Sequence, residues 1–92
     1  MRVLFTREAW VDYVRWQETD SQIVARINRL IADIQRSPFD GIGKPEALRL
    51  IYTGWWSRRV ATEHRLVYRV SDRGDDQQIE ILSCRYHYSR RG

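Results

Sequence analysis

Apolar positions along this chain recur at helical spacing up to about residue 35 and at strand spacing from about residue 47 onward. Val3-Leu4-Phe5 is a short apolar run that predicts a strand. Thr6 can cap a helix beginning at Arg7, with Trp10, Tyr13 and Val14 at helical spacing on one face. Thr19-Asp20-Ser21-Gln22 matches a capping box, in which the Thr hydroxyl and the Gln amide each satisfy a free amide of the next helix. That helix carries the stripe Ile23, Ile27, Leu30, Ile31 and Ile34, and the same wheel sends Arg26, Arg29 and Asp33 to the wet side. Ser37-Pro38 ends it, because the residue before proline avoids the helical region.

Two glycines and Pro45 make the stretch 39–46 a loop that presents Lys44 and Glu46 just before the first of four β-rich runs. Those runs, at 47–52, 55–61, 65–71 and 78–84, are separated by short breaks suited to antiparallel hairpins. The pattern predicts an α+β domain in which two N-terminal helices cover one face of an antiparallel sheet and leave the other face open. Within the third run, alternation sends Leu66, Tyr68 and Val70 toward the core and Arg65, Val67 and Arg69 toward the open face. Arg58 and Arg59 are strand neighbours, so at most one of them reaches that open face.

Composition narrows the class. A chain of 92 residues, 42% of them hydrophobic, encloses one modest core, so residues 1–92 are read as one domain, with 89–92 as a basic tail. The net charge is +4 and the pI about 9.7, and Lys44 is the single lysine among sixteen basic residues. Arginine's planar fork suits phosphate, so a polyanionic partner is favoured, whether nucleic acid or acidic protein. One cysteine excludes an internal disulfide, two histidines leave no zinc-ligand spacing, and neither a signal-like nor a membrane-spanning apolar run is present. A cytoplasmic protein without metal or cofactor is expected.

Cys84-Arg85-Tyr86-His87-Tyr88 sets an imidazole among aromatics and arginines, groups on which unstacked RNA bases rest. RNA brings its own nucleophile, the 2′-hydroxyl. Cleavage therefore needs only a base, a cation for the phosphorane and an acid for the departing 5′-oxygen, roles that Glu46, Arg65 and His87 can fill. His64 lies in a hairpin break and is read as a turn or packing residue. Trp10, Trp16 and Trp56 are read as packing residues, Trp55 as exposed sheet or partner contact, and Cys84 as a small buried filler.

Five blocks carry a family resemblance: Tyr13-x-x-Trp16-Gln17-Glu18-Thr19-Asp20, Pro38-Phe39-x-Gly41-x-Gly43-Lys44-Pro45-Glu46, Gly54-x-Trp56-Ser57-Arg58-Arg59, Glu63-His64-Arg65-Leu66-Val67-Tyr68 and Cys84-Arg85-Tyr86-His87-Tyr88. Spread over residues 1–88, they resemble the YoeB toxins, RelE-like mRNA interferases of bacterial type II toxin–antitoxin systems. The resemblance implies a compact RelE/ParE-like fold and cleavage of mRNA in the ribosomal A site. It assigns Glu46 as general base, His87 as general acid, Arg65 as the transition-state cation, Arg59 as a second cation and Tyr88 as an RNA-positioning tyrosine. Lys44 and Arg49 join the RNA-contacting set, Arg49 standing where the family usually has lysine. Two departures are a longer turn at 72–78 and the added Ser89-Arg90-Arg91-Gly92.

The same resemblance implies several partners. They are an acidic, partly disordered, YefM-like antitoxin, the ribosome with mRNA in its A site, operator DNA reached through the antitoxin, and a homodimer of the free toxin. No membrane is expected. Two rival functions are a ParE-like toxin that binds DNA gyrase, which lacks the Glu46 and His87 pattern, and a non-catalytic RNA-binding module.

Overall fold

The computed structural model describes residues 1–73 and 76–85, apart from the side chains of residues 72, 73 and 76. Strand β1 (Arg2–Phe5) leads into helices α1 (Arg7–Thr19) and α2 (Ser21–Arg36). Then follow β2 (Glu46–Ala47), a 3-10 turn (Leu50–Tyr52), β3 (Trp56–Arg59), β4 (Arg65–Arg73) and β5 (Asp76–Ser83). The five strands form one sheet in the order β1-β5-β4-β3-β2. Both helices pack on one of its faces. Ala9 of α1 and Ile27, Leu30 and Ile34 of α2 close over Leu66, Tyr68, Ile79 and Ile81, all fully buried.

The α+β arrangement with two covering helices is therefore present, and β1 adds a feature that local pattern does not reveal. It lies parallel to β5, pairing Val3 with Ile79 and Phe5 with Ile81, so the sheet is mixed. Thr6 secures the junction: its amide donates to Ile81 O (3.0 Å), its hydroxyl donates to Leu82 O (3.0 Å), and its Oγ1 also caps α1 by accepting from the Ala9 amide.

Several boundaries differ from expectation for identifiable reasons. In α1 the inward positions are Ala9 and Asp12, with Tyr13 and Trp16 half-buried, while Trp10 stays 51% exposed and Val14 36% exposed. The cap of α2 is Asp20 rather than Thr19. The Asp20 carboxylate accepts from the Gln22 and Ile23 amides, and the Thr19 hydroxyl turns back to Arg15 O. The run 47–52 is not a strand beyond Ala47. Leu50 sits at φ 58° with its carbonyl taken by the amide and hydroxyl of Thr53, which closes a tight turn and leaves Leu50 and Ile51 exposed. β-Propensity describes fit to a half-buried pleated surface, and no such surface extends here.

β4 and β5 are longer than expected at the hairpin end and pair from Tyr68–Ile81 to Arg73–Asp76. A bulge at Leu82 follows, so that Ser83 comes opposite Val67. Cys84 is fully buried beyond it, as its apolar setting suggested. No helix among the described residues is long and apolar enough to cross a membrane.

Candidate active site

Register assembles the open face. Glu46 pairs with Ser57, Ser57 with Val67, and Val67 with Ser83, so these four side chains form one row across β2, β3, β4 and β5. Contrary to the expected open face, Ser57, Val67 and Ser83 are buried and only Glu46 at the edge is exposed. Arg59 pairs with Arg65 in the next row on the same face, about 7 Å along the strands. Arg65 Nη1 reaches back to Ser57 Oγ at 3.5 Å, toward the Glu46 row. The carboxylate of Glu46 and the guanidinium groups of Arg59 and Arg65 thus share one surface, with Glu46 and Arg59 exposed and Arg65 half-buried. Arg49 is exposed in the turn that follows β2, its carbonyl accepting from the Tyr52 amide.

The loop that delivers Lys44 and Glu46 is held from beneath by Arg58. Alternation in β3 turns Arg58 to the covered side with Trp56, and its side chain is fully buried. Each of its five N–H groups finds an acceptor. Nε donates to Tyr68 Oη (3.1 Å), Nη1 to Asp33 Oδ2 and Ile42 O (3.1 Å), and Nη2 to Ser37 O (2.7 Å) and Asp40 O (2.9 Å). Three loop carbonyls are thereby tied to one strand residue. Asp33, expected on the wet side of α2, instead receives Arg58, Arg36 and the Ile42 amide. These hydrogen bonds, that of Arg36 foremost and then that of Arg58, hold its carboxyl well below the usual carboxylate range. Burial pushes the Tyr68 phenol up against the opposing pull of Arg58, so it stays protonated and donates to Pro38 O at 2.7 Å.

Two glycines permit this packing. A Cβ on Gly41 would collide with the Asp33 carboxylate, and one on Gly43, at φ 82°, would meet Leu30 Cδ2 at 2.8 Å. Gly43 O accepts from the Arg59 amide at 2.6 Å, which seats the loop end beside Arg59, the residue expected as a second cation. Lys44 follows in the left-handed region at φ 52° and is exposed.

At the far end, β5 leads toward the expected acid. Trp16 Nε1 donates to Cys84 O at 3.0 Å, Cys84 Sγ contacts Ala9 O at 3.7 Å, and the Arg85 guanidinium lies 5.9 Å from the Trp16 ring centroid. His64 meets the same indole edge-on at 4.8 Å, and its backbone closes the β3–β4 turn with Val60 and Ala61. Burial pushes the His64 imidazole below its ordinary value, so it packs as a neutral ring. His87, Tyr88 and the 89–92 tail lie outside the described residues.

Among the expected site residues, then, Glu46, Arg59 and Arg65 are brought to one face, and Lys44 and Arg49 flank it on the loops. Arg58, Asp33 and Ser57 were missed as supports of that face. The period-2 pattern of β3 did hold a signal for Arg58, since it falls in step with Trp56 on the core side. A carboxylate on the same face as two guanidinium groups can hold a phosphodiester and take a proton from a hydroxyl beside it.

Residues 5–88 match the family model described as the YoeB-like toxin of bacterial type II toxin–antitoxin systems. Toxin YoeB of Escherichia coli K12 is 51% identical over 88 residues, which cover 96% of this chain and all of that protein. A YoeB/ParE toxin from Agrobacterium tumefaciens superposes with TM-score 0.93 at 49% identity, covering 96% of this chain and all of that one. Two Staphylococcus aureus structures, a YoeB dimer and a heterotetrameric YoeB–YefM complex, give TM-scores of 0.86 and 0.85. Each is 44% identical and covers 96% of this chain and 98% of the other. With half of its residues shared across nearly its whole length and its strands and helices superposing, this chain belongs to the YoeB family of type II toxin–antitoxin toxins.

Proposed function

We propose that this toxin is a ribosome-dependent endoribonuclease that cuts mRNA in the A site and so stops translation. The observation that carries the reading is the register that sets Glu46 and Arg65 on the sheet face away from the helices, two strands apart. Glu46 takes the proton of the 2′-hydroxyl as its oxygen attacks the adjacent phosphorus. Arg65, with Arg59 beside it, offsets the charge that gathers on the phosphorane, and His87 gives a proton to the 5′-oxygen as the P–O5′ bond breaks. The products are a 2′,3′-cyclic phosphate and a 5′-hydroxyl, and no metal or cofactor enters the balance. Lys44, Arg49 and Tyr88 position the RNA. Glu46 sits exposed rather than in a closed pocket, so alignment of the attacking oxygen must come from elsewhere, which favours the ribosome holding the codon near attack geometry.

In the same reading the partner is an acidic, partly disordered antitoxin of the YefM kind, which folds over the basic face and masks Arg65. The complex reaches its operator DNA through the antitoxin, and the toxin acts in the cytoplasm. The Staphylococcus aureus relative forms a dimer. A homodimer of the free toxin here would cover apolar surface that α1 leaves open at Trp10 and Val11.

Primer extension on mRNA translated in a purified system tests the proposal, with wild-type protein, Glu46→Ala and His87→Gln, each with and without ribosomes. Cuts confined to A-site codons, dependent on ribosomes and lost in both variants, are the expected result. Intact mRNA with wild-type protein that still arrests growth would overturn it and direct attention to gyrase.

A further inference from the structure

We propose that Trp55, Arg69 and Glu80 form a platform on which a nucleobase flanking the cut phosphate stacks, and that this platform sets the sequence preference of cleavage. The inference rests on the RNA-cleavage reading and extends it to residues outside the acid–base set.

The three side chains line up by register. Trp56 pairs with Tyr68, which brings Trp55 opposite Arg69, and Arg69 pairs with Glu80. They form a row on the same sheet face as Glu46, Ser57 and Val67, displaced from that row by one pleat repeat, about 7 Å. RNA held at the Glu46 row therefore has a neighbouring nucleotide within reach of this second row.

Geometry fixes the guanidinium as a plane. Its central carbon lies 4.5 Å from the Trp55 ring centroid. Nε donates to Glu80 Oε1 at 2.9 Å, and Nη2 lies 2.8 Å from the same oxygen in an ion pair. A free surface arginine samples many rotamers, whereas this one is held from two sides with 47% of its side chain still open to solvent. The result is a preset stack, a guanidinium layered on an indole and anchored by a carboxylate, built from the two group types on which single-stranded bases rest.

Charge argues for a base rather than a phosphate as the occupant. Glu80 neutralises Arg69, so a phosphate arriving there would face a carboxylate already in place. Arg59 and Arg65 have no such neighbour among the described ion pairs, and they are the groups left for the backbone. A neutral, planar base loses nothing to Glu80 and can add a hydrogen bond to it. An exposed ion pair by itself contributes little to stability, so substitutions here separate a positioning role from a structural one.

The test is single-turnover cleavage of ribosome-bound mRNAs that differ only at the bases flanking the cut, with wild-type protein, Trp55→Leu, Arg69→Gln and Trp55→Phe. Loss of one stacked base predicts a rate about 5- to 150-fold lower on the preferred sequence for Trp55→Leu, with the ratio of preferred to disfavoured sequences falling toward one. Arg69→Gln moves both quantities in the same direction, and Trp55→Phe restores most of the preference because a ring remains. A wild-type preference profile retained in Trp55→Leu and Arg69→Gln overturns the platform alone. So does an unchanged profile accompanied by weaker antitoxin binding, which would assign the row to the protein partner. Absence of cleavage by the wild type on every mRNA overturns both readings at once.

Discussion

On the covered face of the sheet Arg58 has all five N–H groups engaged and none of its side chain exposed, whereas one residue later, on the open face, Arg59 makes no side-chain hydrogen bond among the described residues. The two differ in surroundings, not in chemistry. Burial makes Arg58 a structural knot that joins α2, the 37–43 loop and β4, because a buried guanidinium is tolerable only when every donor is answered. Arg59, exposed, and Arg65, half-buried with one donor turned to Ser57 Oγ, keep donors that no described side chain takes, the condition for capturing a ligand's phosphate. Identical side chains thus separate into scaffold and site by the alternation of a single strand.

Removing Arg58 should break the comparison most severely. Arg58→Met strips three loop carbonyls of their Arg58 donor, leaves Asp33 with only Arg36 and the Ile42 amide, and should cost about 3–5 kcal/mol, on the scale of a small domain's entire stability. Arg59→Met should stay within about 0.5 kcal/mol of wild type in the same urea titration while lowering cleavage. On the open face the effect moves from folding to rate. Glu46→Ala and Arg65→Ala should each lower ribosome-dependent cleavage by about 10²- to 10⁴-fold with an unchanged melting temperature.

Smaller changes sharpen the contrast. Gly43→Ala, which forces a side chain at φ 82° against Leu30, should lose about 1–3 kcal/mol by thermal unfolding. Acid should act through the covered face. Asp33 has a depressed native pKa, so its contribution is complete above the unfolded value of about 3.9 and is lost as pH falls toward the native one. The urea midpoint should therefore drop between pH 5 and pH 3, and Asp33→Asn should drop less over that interval from a lower start. Leu50→Gly, relieving a left-handed leucine that touches little, should gain about 0.5 kcal/mol by the same titration.

Both helices and β3 to β5 were legible because amphipathic period is a local property. So were the placement of Arg65 on the face away from the helices and the opposition of Arg58 to Arg59, since alternation already separates them. Asp33 was misplaced because a helical wheel ranks residues by polarity and cannot see that a buried arginine lies across from one. The cap at Asp20 shifted by one residue from the box drawn at Thr19, since either side chain has the chemistry and only backbone geometry decides. Strand β2 shrank to two residues because the Leu50-Ile51 run turns away from the sheet. The parallel pairing of β1 with β5 joins residues more than seventy positions apart, and no window of neighbouring residues contains it.

That pairing bears on how the toxin is made. β5, residues 76–83, lies between β1 and β4, so while it is still inside the exit tunnel of the ribosome synthesising it, the sheet has no centre and the first strand has no neighbour. Contacts of such long sequence separation form late and slowly. A nascent chain therefore carries Glu46 and Arg65 before the sheet that holds their strands is complete, and the proposed cleavage would begin only after the last strand has emerged.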